Sequence, residues 1–188
     1  MALVALAAAV AAARSGLAVA FATDTVPALA IMGDWRSRLY ELKRRSPHKP
    51  LILMAARMTD MAPYVVLSDL PHRVMASHWP GAVTVILPAT ALGRSLNPGQ
   101  DTLGVRIPAH GGAIHLLQQT GPLLTTSANR SGEDPLLDPG AIARQFPEVW
   151  VWDDPLGQRG SGQPSTVVAW TGTGWQLLRQ GQVQWQET

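Results

Sequence analysis

Short apolar runs alternate along the chain with polar, helix-like or glycine-rich stretches. Met1 to Ala13 is an unbroken Ala-rich apolar segment; it predicts a buried first helix ending near Arg14-Ser15-Gly16, with Gly16 as its stop. Leu17 to Phe21 is apolar at every position, as suits a strand covered on both faces. Asp34 to Leu42 has helical spacing, with Trp35, Leu39 and Leu42 on one face. Lys43 to Pro50 carries two prolines and reads as a loop, followed by a buried strand over Leu51–Met54. Asp60–Tyr64 and Asp69–His78 read as helical turns. Trp79–Pro88 reads as a turn and a β-branched strand, and Leu92–Gln100 as a loop. Asp101–Pro108 is a strand that carries Arg106 among apolar residues, and His110–Gln119 a helix. Beyond it come a short helix at Pro139–Gln145 and a strand at Val149–Trp152. A glycine-rich loop at Gly157–Pro164, a strand at Ser165–Val168 and a closing strand and turn at Trp175–Gly181 complete the chain. Helices and strands alternate without a repeat or a dividing linker. The pattern therefore predicts one α/β domain over residues 1–188 with a mostly buried mixed sheet.

Gly121 to Gly132 is the stretch around which the rest can be arranged. Leu123-Leu124, flanked by Pro122 and two threonines, predicts a short buried strand that turns polar at Ser127, Asn129, Arg130 and Ser131. In α/β folds, strand ends of this kind form the rim where ligands sit. The same residues also suit a turn that only terminates a strand. Ala22-Thr23-Asp24-Thr25-Val26 repeats the arrangement after the first strand, with Asp24 readable as a turn cap.

Composition narrows the classes. Hydrophobic residues at 46% and charged residues at 15% describe a globular chain with a lean charged surface. The net charge of +2 is too small to argue for nucleic acid by itself. The absence of cysteine excludes disulfides, Cys-zinc sites and thiol nucleophiles. No basic residue precedes the N-terminal apolar run, and the run is too short to span a bilayer, so a cytoplasmic protein with no membrane partner is expected.

Candidate chemistry starts from absences. The chain has no G-x-x-x-x-G-K-[ST] loop, no G-x-G-x-x-G, no G-x-S-x-G and no H-E-x-x-H. Its five histidines are scattered. What remains is a set of strand ends and loops rich in Thr, Ser, Asn, Lys and Arg, an inventory for holding phosphate and carboxylate groups. Such a set suits chemistry by positioning and charge stabilisation, without a protein nucleophile. The most basic stretch, Lys43-Arg44-Arg45-Ser46-Pro47-His48-Lys49-Pro50, would be screened by a nucleotide triphosphate, by RNA or by solvent alone. Gly157–Pro164 can bring backbone N–H groups to a phosphate or can serve as a connector. Arg106 needs a partner in its apolar strand. The seven tryptophans read as packing residues.

Taken in order, these pieces resemble the YrdC-like family of threonylcarbamoyl-AMP synthases. The matching segments are Phe21–Val26, Lys43-Arg44-Arg45 with Lys49-Pro50-Leu51, Trp79–Thr84, Val105–Pro108, Ser127–Gly132, Ser165–Val168 and Leu178–Gly181. They cover essentially the whole chain. The resemblance implies a single α/β domain whose twisted mixed sheet, flanked by helices, surrounds a basic cavity. It implies a nucleotidyltransferase that makes threonylcarbamoyl-adenylate and pyrophosphate from L-threonine, bicarbonate and ATP, for tRNA N6-threonylcarbamoyladenosine (t6A37) modification. Mg²⁺ is expected with the ATP, and no residue is assigned to a metal. Separate t6A transferase proteins, and tRNA or another double-stranded RNA, are the implied partners. By position, Lys43, Arg45, Ser127 and Asn129 match the family's K-x-R and S-x-N pairs and take the catalytic role. Arg45, Lys49, Thr102, Asn129 and Arg179 fall where the family holds ATP. Thr25, Arg106, Ser127 and Ser165 fall where it holds threonine, with Arg106 partnered by the substrate anion. The chain departs from the family's pattern at Pro27-Ala28, Ser46, Ala82, Met54 and Leu137. These departures leave two alternatives beside the synthase, a non-catalytic RNA- or ribosome-binding module and a paralogue with a changed substrate.

Overall fold

The apolar runs become strands of one mixed sheet. The computed structural model describes residues 3–67 and 72–186, and among these it holds nine strands. They are β1 (Val19–Phe21), β2 (Ala28–Ile31), β3 (Ile52–Met54), β4 (Val83–Pro88), β5 (Thr102–Arg106), β6 (Leu123–Ser127), β7 (Trp150–Val151), β8 (Thr166–Trp170) and β9 (Trp175–Arg179). Their order across the sheet is β7-β1-β2-β6-β3-β5-β4-β8-β9. The β1/β7, β3/β5 and β4/β8 pairs are parallel and the other neighbours antiparallel. The strand with the Thr-Thr-Ser end, β6, therefore lies near the middle, between β2 and β3.

Helices cover both faces: α1 (Leu6–Arg14), α2 (Ser37–Lys43), α3 (Met58–Met61), α4 (His72–His78), α5 (Ala91–Leu96), α6 (Gly111–Thr120) and α7 (Pro139–Gln145). Strand period decides which side chains meet which helices. Val19 and Phe21 of β1 and Ala28 and Ala30 of β2 join one buried cluster with α1 and α6. Their alternates Ala20, Leu29 and Ile31 join a second cluster with Leu39 and Leu42 of α2 and Ile142 of α7. A strand buried on both faces has no polar alternation, which is why these segments are apolar throughout.

The ends of α1 follow its sequence. Gly16 has φ +77°, Leu17 N donates to Ala12 O at 3.0 Å and Gly16 N to Ala13 O at 3.0 Å. This paired closure puts glycine at the left-handed position.

Four expectations change. Ala28–Ile31, not anticipated as a strand, forms β2, which pairs with both β1 and β6. Part of the expected loop at Leu92–Gln100 is helix α5, started by Thr90, whose Oγ1 accepts from Gly93 N at 3.1 Å. Trp35 does not share the buried face of Leu39 and Leu42; it lies in a 3₁₀ turn and is 56% exposed. Lys43 is not in the basic loop but closes α2, and the left-handed Arg44 (φ 50°) ends that helix. The helical turn expected from Asp69 is seen as α4 from His72, and residues 69–71 lie outside the described residues.

Candidate active site

A cleft of about 520 Å³ opens beside the centre of the sheet. Its floor takes Ile52 and Met54 from β3, Thr125 and Ser127 from β6 and Ala28 from β2. The register sets this floor: Ala28 lies opposite Ser127, Ile52 opposite Thr125 and Met54 opposite Arg106. Its walls come from four connections: Thr23–Pro27, Arg45 with Pro50, Asn129 with Glu133–Pro135, and Gly162–Ser165, with Arg179 of β9 at the far side.

Arg106 is the most buried cation of the lining, 4% exposed. Its Nη2 donates to Asp24 Oδ1 at 2.7 Å, its Nη1 to Thr25 Oγ1 at 2.8 Å and its Nε to Gly81 O at 3.0 Å. Burial pulls its pKa down and the Asp24 carboxylate pulls it back up. Trp79–Thr84 earns its place here. Gly81 N donates to Ile107 O at 2.9 Å while Gly81 O accepts from Arg106. A Cβ on Gly81 would lie 2.2 Å from His78 O, so the residue must be glycine. The expected partner of Arg106 was a substrate anion. In the ligand-free chain the Asp24 carboxylate supplies the counter-charge to Arg106.

Thr25 and Ser165 face the cleft through hydroxyls that are already partnered. Thr25 Oγ1 meets Thr23 Oγ1 at 3.0 Å, and Ser165 Oγ meets Thr84 Oγ1 at 2.8 Å. Arg179 donates to Ser165 O from Nη2 at 2.9 Å and from Nε at 3.2 Å. Arg45 donates from Nη2 to Pro50 O at 3.0 Å, and its buried Nε has no partner. Ser127 Oγ donates to Asn129 Oδ1 at 2.5 Å, and Asn129 Nδ2 donates to Glu133 O at 2.6 Å.

Of the ten residues singled out in the sequence, Thr25, Arg45, Arg106, Ser127, Asn129, Ser165 and Arg179 line one cleft. Lys43, Lys49 and Thr102 are not in its lining. Lys43 is buried behind Ser127 and Asn129. Lys49 is an exposed loop residue whose carbonyl accepts from Tyr40 Oη at 3.3 Å. Thr102 stands at the opposite end of β5 from Arg106, paired with Pro88 and exposed. The basic stretch thus splits its cations between the interior, the cleft and solvent and does not form one patch. The cleft carries three guanidiniums, Arg45, Arg106 and Arg179, against the carboxylates of Glu133 and Asp134. Those two acids follow directly after Gly132, and that adjacency was the signal for them. The glycine-rich loop also changes meaning. Ser161 N donates to Asp24 O at 3.1 Å and Gly162 N to Thr25 O at 3.0 Å, so these N–H groups fasten the loop to Thr23–Thr25 and are not free for phosphate.

Trp79 and Trp152 are buried, and Trp170, Trp175 and Trp185 meet at tilted and edge-on angles with ring centroids 5.1 and 5.4 Å apart, whereas Trp35 is exposed. Among the described residues, no helix is long and apolar enough to cross a membrane. No group of three or more His, Asp or Glu among them comes together to hold a metal ion.

The sequence pattern of the Sua5–YciO–YrdC family, described as "Telomere recombination", matches residues 11–181. The chain belongs to this family. Among curated Sua5–YciO–YrdC relatives, the threonylcarbamoyl-AMP synthase of Chromohalobacter salexigens is 37% identical over 166 residues, 85% of this chain and 89% of that protein. The threonylcarbamoyl-AMP synthase of Idiomarina loihiensis is 36% identical over 139 residues, 70% of this chain and 73% of that one. The crystal structure of P. abyssi Sua5 complexed with L-threonine matches with a TM-score of 0.83 at 29% identity, over 94% of this chain. This chain spans about half of that Sua5 protein, 54%. The resemblance read from the seven sequence segments and the α/β fold with its mixed sheet are thus shown.

Proposed function

We propose that the chain is a threonylcarbamoyl-AMP synthase. In this reading the amine of L-threonine attacks the carbon of bicarbonate and water leaves, giving the carbamate. A carbamate oxygen then bonds to the α-phosphorus of ATP as the α–β bridging bond breaks, and pyrophosphate departs. One observation carries the proposal: Arg106 with Thr25, paired to Asp24, and the guanidiniums of Arg45 and Arg179 line the same cleft.

The roles follow from the geometry. Arg106 holds a carboxylate or carbamate oxygen, with the Thr25 and Ser165 hydroxyls beside it to orient the amino acid. Asp24 keeps Arg106 in place before substrate arrives. Arg45, with an unpartnered Nε, and Arg179 on the other wall offset the charge that grows on the phosphates as pyrophosphate leaves. Ser127 and Asn129 orient polar groups between the two substrates. Catalysis of this kind is positioning and charge stabilisation, which fits a cleft among whose lining residues is no cysteine or histidine.

Glu133 and Asp134 are two hard oxygen donors in the lining. They fit Mg²⁺, which binds through one or two carboxylates together with substrate phosphates. The ion would neutralise phosphate charge there. The adenylate would pass to separate t6A transferase proteins acting on tRNA.

The test is pyrophosphate release from ATP and bicarbonate, with and without L-threonine, in the native chain and in Arg45→Ala. Threonine-dependent release, reduced on the order of 10²-fold in the variant, is the expected outcome. ATP binding without threonine-dependent release would overturn the reading.

A further inference from the structure

Lys43 belongs to the family's K-x-R pair, yet it is 1% exposed and absent from the cleft lining. Its ammonium donates to the carbonyl of Ser127, to the carbonyl of Asn129 at 2.7 Å and to Asn129 Oδ1 at 3.0 Å. An ammonium has three protons, and these three acceptors, with Ser127 Oγ as a longer contact at 3.5 Å, use them all. The attachment is returned through the backbone, since Ser131 N donates to the Lys43 carbonyl at 2.9 Å. Arg130 adds a bond to the carbonyl of Leu42 and lies 4.9 Å over the Phe146 ring. The Ser127–Ser131 turn is therefore pinned to the last turn of α2. The groups that this turn presents to the cleft are Ser127 and Asn129.

We infer that Lys43 is a positioning residue that acts through Ser127 and Asn129, and not a ligand of the triphosphate. This inference rests on the synthase reading for its kinetic consequences and on the ligand-free geometry for its physical ones.

The charge of the clamp matters because, among the described residues, no carboxylate forms an ion pair with it. Arg45 repels it from the loop after α2, Arg130 sits one residue away on Leu42 O, and the Glu133 carboxylate accepts from Gln145 Nε2 at 2.9 Å. Burial first, and Arg45 second, lower the Lys43 pKa to about 7. A neutral amine keeps two N–H bonds and turns its lone pair towards a third oxygen, so one grip becomes a repulsion. Deprotonation therefore loosens Asn129 or Ser127. An anion arriving in the cleft favours the ammonium, so its binding draws a proton on to Lys43.

Three measurements test this. Lys43→Met is expected to lower kcat about as far as Asn129→Ala, with the KM for ATP changed by less than about threefold and the double variant within about twofold of the singles. Losses that multiply, or a rise in the ATP KM with kcat preserved, would make Lys43 a direct phosphate ligand and overturn the inference. The chain has no cysteine, so Lys43→Cys can be alkylated at that position alone with 2-bromoethylamine in the unfolded state and refolded. The restored amine, more acidic than lysine, is expected to recover activity and move the alkaline limb of kcat to lower pH. Recovery with an unmoved limb would overturn the clamp. NMR titration of the native, substrate-free chain needs no variant to fold and no turnover. The Asn129 side-chain amide should shift together with the Lys43 ammonium, and an amide indifferent to that titration would overturn the coupling. Failure of threonine-dependent turnover in the native chain would instead sink the synthase reading alone.

Discussion

Asp24 Oδ1 lies 2.7 Å from Arg106 Nη2, with the two side chains only 12% and 5% exposed. The most buried of the cleft's three cations is thus paired before any ligand enters. A buried pair of this kind adds little net stability as a pair, but loss of one partner leaves the other uncompensated. Asp24→Ala should therefore destabilise the fold by about 3 kcal/mol, measured by urea unfolding. Asp24→Asn, which keeps an oxygen acceptor for Nη2, should cost less. L-threonine should raise the Tm of Asp24→Asn by more than it raises that of the native chain, because its carboxylate supplies the missing charge. An equal rise in both would place the amino acid's carboxylate away from Arg106.

Lys43 gives a pH dependence of definite sign. Its pKa falls from 10.5 to about 7 on folding. Between these values the unfolded chain binds the proton and the folded chain does not, so the Lys43 contribution to stability rises with pH and levels off above the unfolded value. The slope is limited to about 1.4 kcal/mol per pH unit. Urea midpoints of the native chain and of Lys43→Met, compared from pH 6 to pH 9, isolate this part as a difference; it should change with pH above about 7, whereas a difference that stays flat from pH 6 to pH 9 would mean that folding does not lower the Lys43 pKa.

Much of this was legible in the chain itself, and the parts that were not share a cause. Apolar runs marked eight of the nine strands because buried strands need apolar residues on both faces. Ala28–Ile31 escaped because it follows Pro27 within a segment read only as chemistry, and nothing local says that two strands will close around it. Helix α5 escaped because Gly93 weakens its helical signal; tertiary contact explains the glycine, since a Cβ there would lie 1.9 Å from Tyr64 O. At the site, residue types at strand ends were enough to gather seven of ten residues into one cleft. Side-chain direction was not readable. Lys43 and Arg45 are two residues apart, but the first ends a helix facing inward and the second stands in the loop. Asp24 and Arg106 are joined only by the sheet, 82 residues apart in sequence.

Arg179 links the sheet edge to the cleft. Its Nε and Nη2 both reach the Ser165 carbonyl, and Ser165 Oγ is held by Thr84. A lysine has one donor head and cannot repeat this two-point grip. Arg179→Lys should therefore raise the KM for ATP nearly as much as Arg179→Ala, by about tenfold, while far-UV CD and Tm stay close to native. Full retention of activity in Arg179→Lys would reduce its role to that of a point charge.

The glycine-rich loop offers a test within a single segment. A Cβ at Gly160 would lie 2.1 Å from Thr25 O and 2.4 Å from Thr23 O, both backbone atoms that cannot turn aside. Gly160→Ala must lift the loop, lengthening the bonds from Ser161 N and Gly162 N and unsettling the Thr25 hydroxyl that meets Arg106. Its cost should be about 1–3 kcal/mol in stability, together with a higher KM for L-threonine. Gly157, three residues earlier, has φ +63° and nothing within 4 Å of its would-be Cβ. Gly157→Ala meets only backbone strain, about 1 kcal/mol, and should leave the KM unchanged. The pair of variants separates the two roles of the loop. If both shift the KM alike, the loop acts through its flexibility; if only Gly160→Ala does, it acts as the rigid backing of Thr23–Thr25.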